Sequence, residues 1–474
     1  MTTRAIERAR AGDAVPGPPE PRLDAAEIQA HVLAGFAAPL QTALFVELVD
    51  AGRARRWLRR IAARVTPLSA APPGRPVRTG VCAAFTFEGL RKLAGDADAF
   101  REAAFKEGLH ARSGLLGDPL DERAPGHPRN WVVGGPGRVP DVFLLVGAGR
   151  RAELAEAVAR LEPAPGDGVR VLVAQEAAVL HGSLGRHEHF GFRDPVSQPR
   201  LRGLERPAPG HDRPGRRLVW PGEFVFGQPG QNAMDLELPG PVASAGPEWG
   251  RDGSFLVVRR LRQDVAAFRR FLAAAATELA VSPDLLAAKC FGRWPSGAPL
   301  VLAPGGDDPA LGRDDDRNNE FGFAGDPLGL VCPHAAHVRK AYLRDHPTSD
   351  LAAAAVETHR LLRRSVPFGP AYPLAGERGL LFLAYQTSIE RQFEFVTRAW
   401  LNNPLLRDEG EGHDPIAGQN GRYPHRRRRF AVPVTDARGG LRRVVLQLDE
   451  EWVVPTGGGY FFAPSLTALR LLAG

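Results

Sequence analysis

The segment Cys332-Pro333-His334-Ala335-Ala336-His337-Val338-Arg339-Lys340 gathers one thiol and two imidazoles in an apolar frame. An imidazole here could ligate a metal. A zinc site built on Cys332, His334 and His337 would need a fourth ligand, and no second pair at a suitable spacing supplies one. Upstream, Gly191-Phe192-Arg193-Asp194-Pro195-Val196-Ser197-Gln198-Pro199 is rich in turn formers and carries a single carboxylate, Asp194. An aspartate in a turn ordinarily caps its own backbone. A carboxylate held over a reacting oxygen can instead move a proton. Arg363, in Arg363-Arg364-Ser365-Val366-Pro367-Phe368-Gly369, offers a permanent cation, although most arginines of so arginine-rich a chain are solvated.

Taken with Gly292-Arg293-Trp294-Pro295-Ser296-Gly297-Ala298-Pro299 and Gln392-Phe393-Glu394-Phe395, these motifs occur in an order that resembles the dye-decolorizing peroxidases. The resemblance runs from about Gly182 to the C-terminus and is weaker near Ile28–Phe36. It implies a haem-dependent enzyme that reduces hydrogen peroxide and oxidises small aromatic, phenolic or dye-like donors, with one haem b per chain. His337 matches the family's proximal iron ligand, and His334 then becomes a structural neighbour. Asp194 matches the distal aspartate and Arg363 the distal arginine, with Arg364 as runner-up. Leu380 and Phe382 match the apolar distal pair. Asp414, in Gly412-His413-Asp414-Pro415-Ile416, matches the carboxylate that receives the proximal imidazole's other N–H, with Glu390 and Glu394 as alternatives. Arg339 and Arg344 are expected to meet the haem propionates. Trp249, Trp294 and Trp400 are candidates for relaying electrons to donors too bulky for the haem, against a default of core packing.

One residue departs from the family pattern. The distal motif is G-x-x-D-G, and Pro195 stands where its last glycine belongs. Proline fixes φ and constrains the residue before it. A misplaced Asp194 would leave a haem binder without turnover, which is the competing reading. A zinc protein is the third.

With 474 residues and 43% hydrophobic content, the chain can bury a large core. The net charge of +7 comes almost entirely from arginine, since the lysines are only Lys92, Lys106, Lys289 and Lys340. This skew gives no reason to expect nucleic acid. The run Arg426–Arg429 reads as a solvated loop or a sheet-edge guard. Cys82, Cys290 and Cys332 form neither an even framework nor a CxxC pair. With no signal pattern at Met1 and no long apolar span, the expectation is a cytoplasmic protein away from membranes. Oligomeric state is left open.

These residues must be positioned by strands and helices legible from periodicity. Strands are expected at Ala43–Val49, Val77–Phe87, Val142–Gly147 and Val169–Val173, with helices at Asp50–Arg64, Leu90–Ala104 and Arg150–Leu161. The second half repeats the theme: a strand at Asp252–Arg259, a helix at Asp264–Leu279, a strand at Gly379–Tyr385, a helix at Ser388–Leu401, then a hairpin of Phe430–Val434 with Leu441–Leu448. The fold class is α+β, two ferredoxin-like modules with antiparallel sheets, the haem held mainly by the C-terminal one. The expected organisation is a mobile N-terminal arm over 1–24, a first module over 25–215 and a second over 216–474.

Overall fold

The computed structural model describes residues 18–71, 77–208, 210–346, 351–407, 410–421, 427–435 and 440–474. Most of the expected arm and the turn of the Phe430–Leu448 hairpin lie outside these residues. Nine strands make one sheet. In the first half they are β1 (Leu40–Leu48), β2 (Gly80–Phe85), β3 (Val142–Ala148) and β4 (Val169–Ala178). In the second half they are β5 (Ser254–Gln263), β6 (Leu362–Arg363), β7 (Val366–Phe368), β8 (Gly379–Gln386) and β9 (Val453–Ala463).

The spatial order is β6-β8-β5-β9-β2-β3-β1-β4, with β7 also on β8. Each half therefore has the antiparallel 4-1-3-2 order of a ferredoxin-like module. The halves meet where Phe85 of β2 pairs with Phe462 of β9, so the two sheets continue into one. That edge-to-edge join removes the free edge each module would otherwise expose.

Local sequence explains the main helices. α1 (Ala51–Ala62) starts at Asp50, whose carboxylate accepts from the Arg53 N–H, and buries Ala54, Trp57, Leu58 and Ile61 at helical spacing. The expected Leu90–Ala104 helix is broken. α2 covers Phe87–Leu93, and a 3₁₀ turn at Ala97–Ala99 follows Gly95-Asp96. Glycine and aspartate both disfavour a helix interior. α3 (Arg151–Ala159) packs on the first module. In the second, α4 (Val265–Leu279) is capped by Asp264 and α5 (Pro283–Phe291) by Ser282. The 389–401 segment forms π-helical turns, Ile389–Glu394 and Val396–Leu401, in place of a regular α-helix.

Arg428–Thr435 and Leu441–Leu448 pair antiparallel as a separate hairpin. Among the described residues no single helix is long and apolar enough to cross a membrane. The three cysteines are free and buried.

Candidate active site

His337, the expected proximal ligand, opens α6 (His337–Ala341). Its Nδ1 lies 2.7 Å from Oδ2 of Asp414, a fully buried carboxylate. The other oxygen of Asp414 accepts from the backbone N–H groups of Ile416 at 2.8 Å and Ala417 at 2.9 Å. Burial pulls the His337 imidazole down, but the Asp414 charge and hydrogen bond leave it above its ordinary value. Burial pushes Asp414 up, and His337 with the two N–H groups brings it below the usual range. The pair is thus fixed in one orientation, leaving Nε2 for a ligand.

Gly292 allows α6 to sit there. It ends α5 at φ +81°, and a Cβ on it would lie 2.2 Å from Val338 Cγ1 and 3.1 Å from Cys332 Sγ. The Phe291 ring beside it is edge-on to His337 at 6.5 Å and stacks on Phe192 at 3.7 Å.

The expected distal residues come together where the loop carrying Asp194 docks on β6. Arg363 Nη1 donates to Asp194 Oδ1 at 3.1 Å, and Nη2 to the Ser197 carbonyl at 3.3 Å. The Gln198 amide holds the Arg363 backbone at both ends: its Nε2 donates to the Arg363 carbonyl at 3.0 Å, and its Oε1 accepts from the Arg363 N–H at 3.2 Å. Glu188, which sequence reasoning missed, shapes the same loop. It accepts from Phe190 and Phe192 N–H at 2.9 and 3.0 Å, and from Gln263 Nε2 at 2.5 Å. Burial pushes Glu188 up to about 7 despite those donors. Its only sequence signal is a lone acid inside the aromatic run His187–Phe192.

His337 and the Arg363–Asp194 pair are close enough to interact, and each keeps some accessible surface. His337 lies deep in the protein, yet 31% of its side-chain surface remains accessible; Arg363 keeps 25% and Asp194 20%. His337 also feels the charges of Arg363 and Asp194. On β8, Leu381 and Leu383 are fully buried, while Leu380 and Phe382, on the other face, are only half-buried. A separate cavity of about 470 Å³, lined by Tyr372, Arg262 and Arg378 among others, contains none of these groups.

Other expectations divide. Glu394 is committed to Arg112 at 2.6 Å and to the Tyr460 hydroxyl at 3.0 Å, and Glu390 accepts from Ala104 N–H. Neither approaches His337 as Asp414 does. Arg339 is fully buried but already balanced: it pairs with Asp326 at 3.2 Å and also donates to the Cys332 carbonyl and His346. Its charge thus already has a carboxylate partner in the protein.

Arg344 is fully buried too, but it donates to the carbonyls of Asn319 and Phe321 and to the Asn319 side chain. Arg293, unassigned from the sequence, is buried beside it on Gly297 O and Asn318 O. Burial, then the charges of Arg344 and Arg363, depress Arg293 well below its ordinary value. Among the described residues neither Arg293 nor Arg344 has a carboxylate salt bridge. Two buried cations with no carboxylate in direct contact could serve a group carrying two carboxylates.

Cys332, His334 and His337 do not converge. His334 turns to the Pro327 carbonyl, and no group of three or more potential ligands is arranged for a metal ion among the described residues. Trp400 and Trp294 are buried, and Trp249 is half-buried with its N–H on Asp96.

The structure therefore brings together an imidazole backed by a buried carboxylate and a nearby carboxylate–arginine pair. Residues 306–409 match the family model for the C-terminal part of Dyp-type peroxidases. The chain is 31% identical over 491 residues to a dye-decolorizing peroxidase of Mycena epipterygia, covering 95% of this chain and 87% of that one. It superposes on an ancestral D-type dye decolorizing peroxidase with a TM-score of 0.80 at 31% identity, over 95% of this chain and 99% of the other. A dye-decolorizing peroxidase solved with 2,6-dimethoxyphenol gives a TM-score of 0.78 at 30% identity, over 95% and 100%. The chain belongs to the dye-decolorizing peroxidases, a family of haem enzymes.

Proposed function

We propose that the chain binds one haem b, reduces hydrogen peroxide with it and oxidises phenolic or dye-like donors, with His337 as proximal ligand and Asp194 and Arg363 as the distal pair. The observation that carries this is His337, tied to buried Asp414, within electrostatic reach of the Arg363–Asp194 pair and with part of its ring still accessible. The relative solved with 2,6-dimethoxyphenol supports the donor class.

In this reading Nε2 of His337 would hold the iron, while Asp414 accepts a hydrogen bond from Nδ1–H, which makes the imidazole a stronger donor. Arg344 and Arg293 would hold the two propionates. Bound haem supplies two-electron reduction of the peroxide O–O bond. The Asp194 carboxylate takes a proton from the inner peroxide oxygen and returns it to the outer one, so that the latter leaves as water. Arg363 orients Asp194 through Nη1 and stabilises negative charge on the departing oxygen. Leu380 and Phe382 exclude water and restrict the distal space to something of peroxide's size.

Pro195 does not pull the carboxylate out of reach of Arg363, which favours turnover over a passive haem binder. The test is the absorption spectrum of the holoprotein before and after peroxide, beside His337→Ala. The expected result is a Soret band that shifts with peroxide, and a folded His337→Ala protein with little haem. A variant that keeps its haem and an unchanged spectrum removes His337 from the role, and a wild-type spectrum indifferent to peroxide removes the peroxidase reading.

A further inference from the structure

Behind the distal arginine, on the face of β8 turned away from Phe382, lies a buried group that the proposed reaction does not use. The Tyr385 hydroxyl is 2.9 Å from Nδ1 of His31 and 3.3 Å from Sγ of Cys82. All three side chains are shut off from solvent, at 0%, 1% and 0% exposure. They come from three distant places: the short helix Ala30–Leu33, β2 and β8. The trio is wired to the distal side through the backbone. Leu362 pairs with Tyr385 and Arg363 with Ala384, and the Arg364 N–H donates to Leu383 O at 2.7 Å. Arg364 in turn donates from Nε to the His31 carbonyl at 3.3 Å and from Nη2 to that of Leu33. Along β8, Tyr385 follows Phe382 by three residues, roughly 10 Å at strand rise.

We propose that Tyr385 is an internal one-electron donor to the peroxidase centre, with His31 as its proton acceptor; this rests on the peroxidase reading above. Peroxide reduction to two waters consumes two electrons and two protons. Tyr385 supplies one of those electrons when no external donor is in place. Its O–H bond breaks as the electron leaves, and the proton forms an N–H bond at Nδ1 of His31. The products are a neutral phenoxyl radical and an imidazolium. An electron from an aromatic donor later reduces the radical, and the proton returns from His31. The second electron of the turnover still comes from outside.

The surroundings suit this step. Loss of an electron alone would leave a phenol radical cation in a dry apolar core, at a large desolvation cost. Prior loss of the proton is also closed off, because burial, then Cys82, holds the Tyr385 hydroxyl well above its ordinary value. Electron and proton must therefore leave together, and the acceptor must already be in place. Burial, then the Arg364 charge, keeps His31 down at about 3, so it is neutral near pH 7 and its Nδ1 lone pair is open to the phenol. An oxidised phenol is a far stronger acid than this imidazolium, so the transfer runs downhill. Cys82 can donate its S–H to the same oxygen, which leaves the phenolic proton aimed at His31. Because all three side chains are shut off from solvent, the proton stays stored beside the radical.

The test is freeze-quench electron paramagnetic resonance on holoprotein treated with peroxide and no donor, for wild type, Tyr385→Phe and His31→Gln. The expected result is a tyrosyl signal in wild type that disappears in Tyr385→Phe. In His31→Gln, which keeps the phenol but loses the basic nitrogen, the yield should fall several-fold, and radical formation in wild type should slow in D₂O. A folded, haem-replete Tyr385→Phe protein with the wild-type radical spectrum overturns the proposal, as does a peroxide-consuming wild type with no tyrosyl signal. If peroxide leaves the holoprotein unchanged, the functional reading has failed instead. Flash-quench photo-oxidation of that holoprotein then decides: a phenoxyl transient lost in Tyr385→Phe supports the donor role, and one unaffected by the substitution ends it.

Discussion

β3 and β8 are both interior strands of modules with the same strand order, yet they end differently. Every residue of β3, Val142–Ala148, is buried, and its two faces are filled by α1, α2 and neighbouring cores. β8, Gly379–Gln386, buries Leu381 and Leu383 fully but leaves Leu380 and Phe382 half-buried. The same topology thus yields one strand buried throughout and one that keeps two half-buried side chains. The residues singled out for chemistry gather in the second case: His337 pairs with Asp414, and Asp194 meets Arg363 of β6, the neighbour of β8. A face with apolar surface to spare can be covered by a flat apolar cofactor, whereas a filled one has no room for it.

The comparison is broken most severely at the open half by removing its distal charge. Arg363→Leu is expected to leave haem content unchanged but to slow the peroxide-induced spectral change by roughly 10²–10³, the effect typical of one lost transition-state hydrogen-bond donor. Stopped-flow mixing measures it. Equal rates in variant and wild type would move the distal role to Arg364.

A second test sets the halves directly against each other. Leu144→Ala, in fully buried β3, should cost about 2–5 kcal/mol of stability. Phe382→Ala deletes more atoms, but from a half-buried site, and should cost less while opening the distal pocket to larger molecules. Denaturant unfolding of the two apoproteins checks the order, and the reverse order would mean that Phe382 carries as much packing as a core residue.

The smallest effect concerns Glu188, which braces the distal loop. Its folded value of about 7 lies above the ordinary 4.5, so the folded state holds the proton more tightly. Stability from this group is complete below about pH 4.5 and declines as pH rises through 7, by up to about 3 kcal/mol. Glu188→Gln should flatten this part of the stability–pH curve. A slope unchanged by the substitution would place the titration elsewhere.

The ordered motifs placed His337, Asp194, Arg363 and Asp414 on the candidate list because each residue type has few chemical uses in such a setting. Strand and helix positions were legible from alternation and caps, as with Asp50 before α1 and Asp264 before α4. The helix expected over Leu90–Ala104 was not, because its apolar residues kept a helical spacing across Gly95-Asp96, where the chain turns. Arg293 and Glu188 were equally hidden. A buried arginine and a solvated one look the same in sequence, and the cost of burial is set by neighbours far away along the chain.

The amino-acid sequence by itself therefore determined the family, the α+β class and the kinds of group available, since these depend on residue type and short-range pattern. The tertiary structure alone decided which acid meets His337. Asp414 and not Glu394 does so, because Glu394 is drawn to Arg112 and Tyr460 on another wall. It decided that Arg339 pairs with Asp326 while Arg344 and Arg293 are buried on carbonyl oxygens instead, and that the two modules share one sheet through Phe85 and Phe462. It also brought His31, Cys82 and Tyr385 to one oxygen. Pairing and desolvation are properties of distance and burial, and both arise only when segments tens to hundreds of residues apart are packed together.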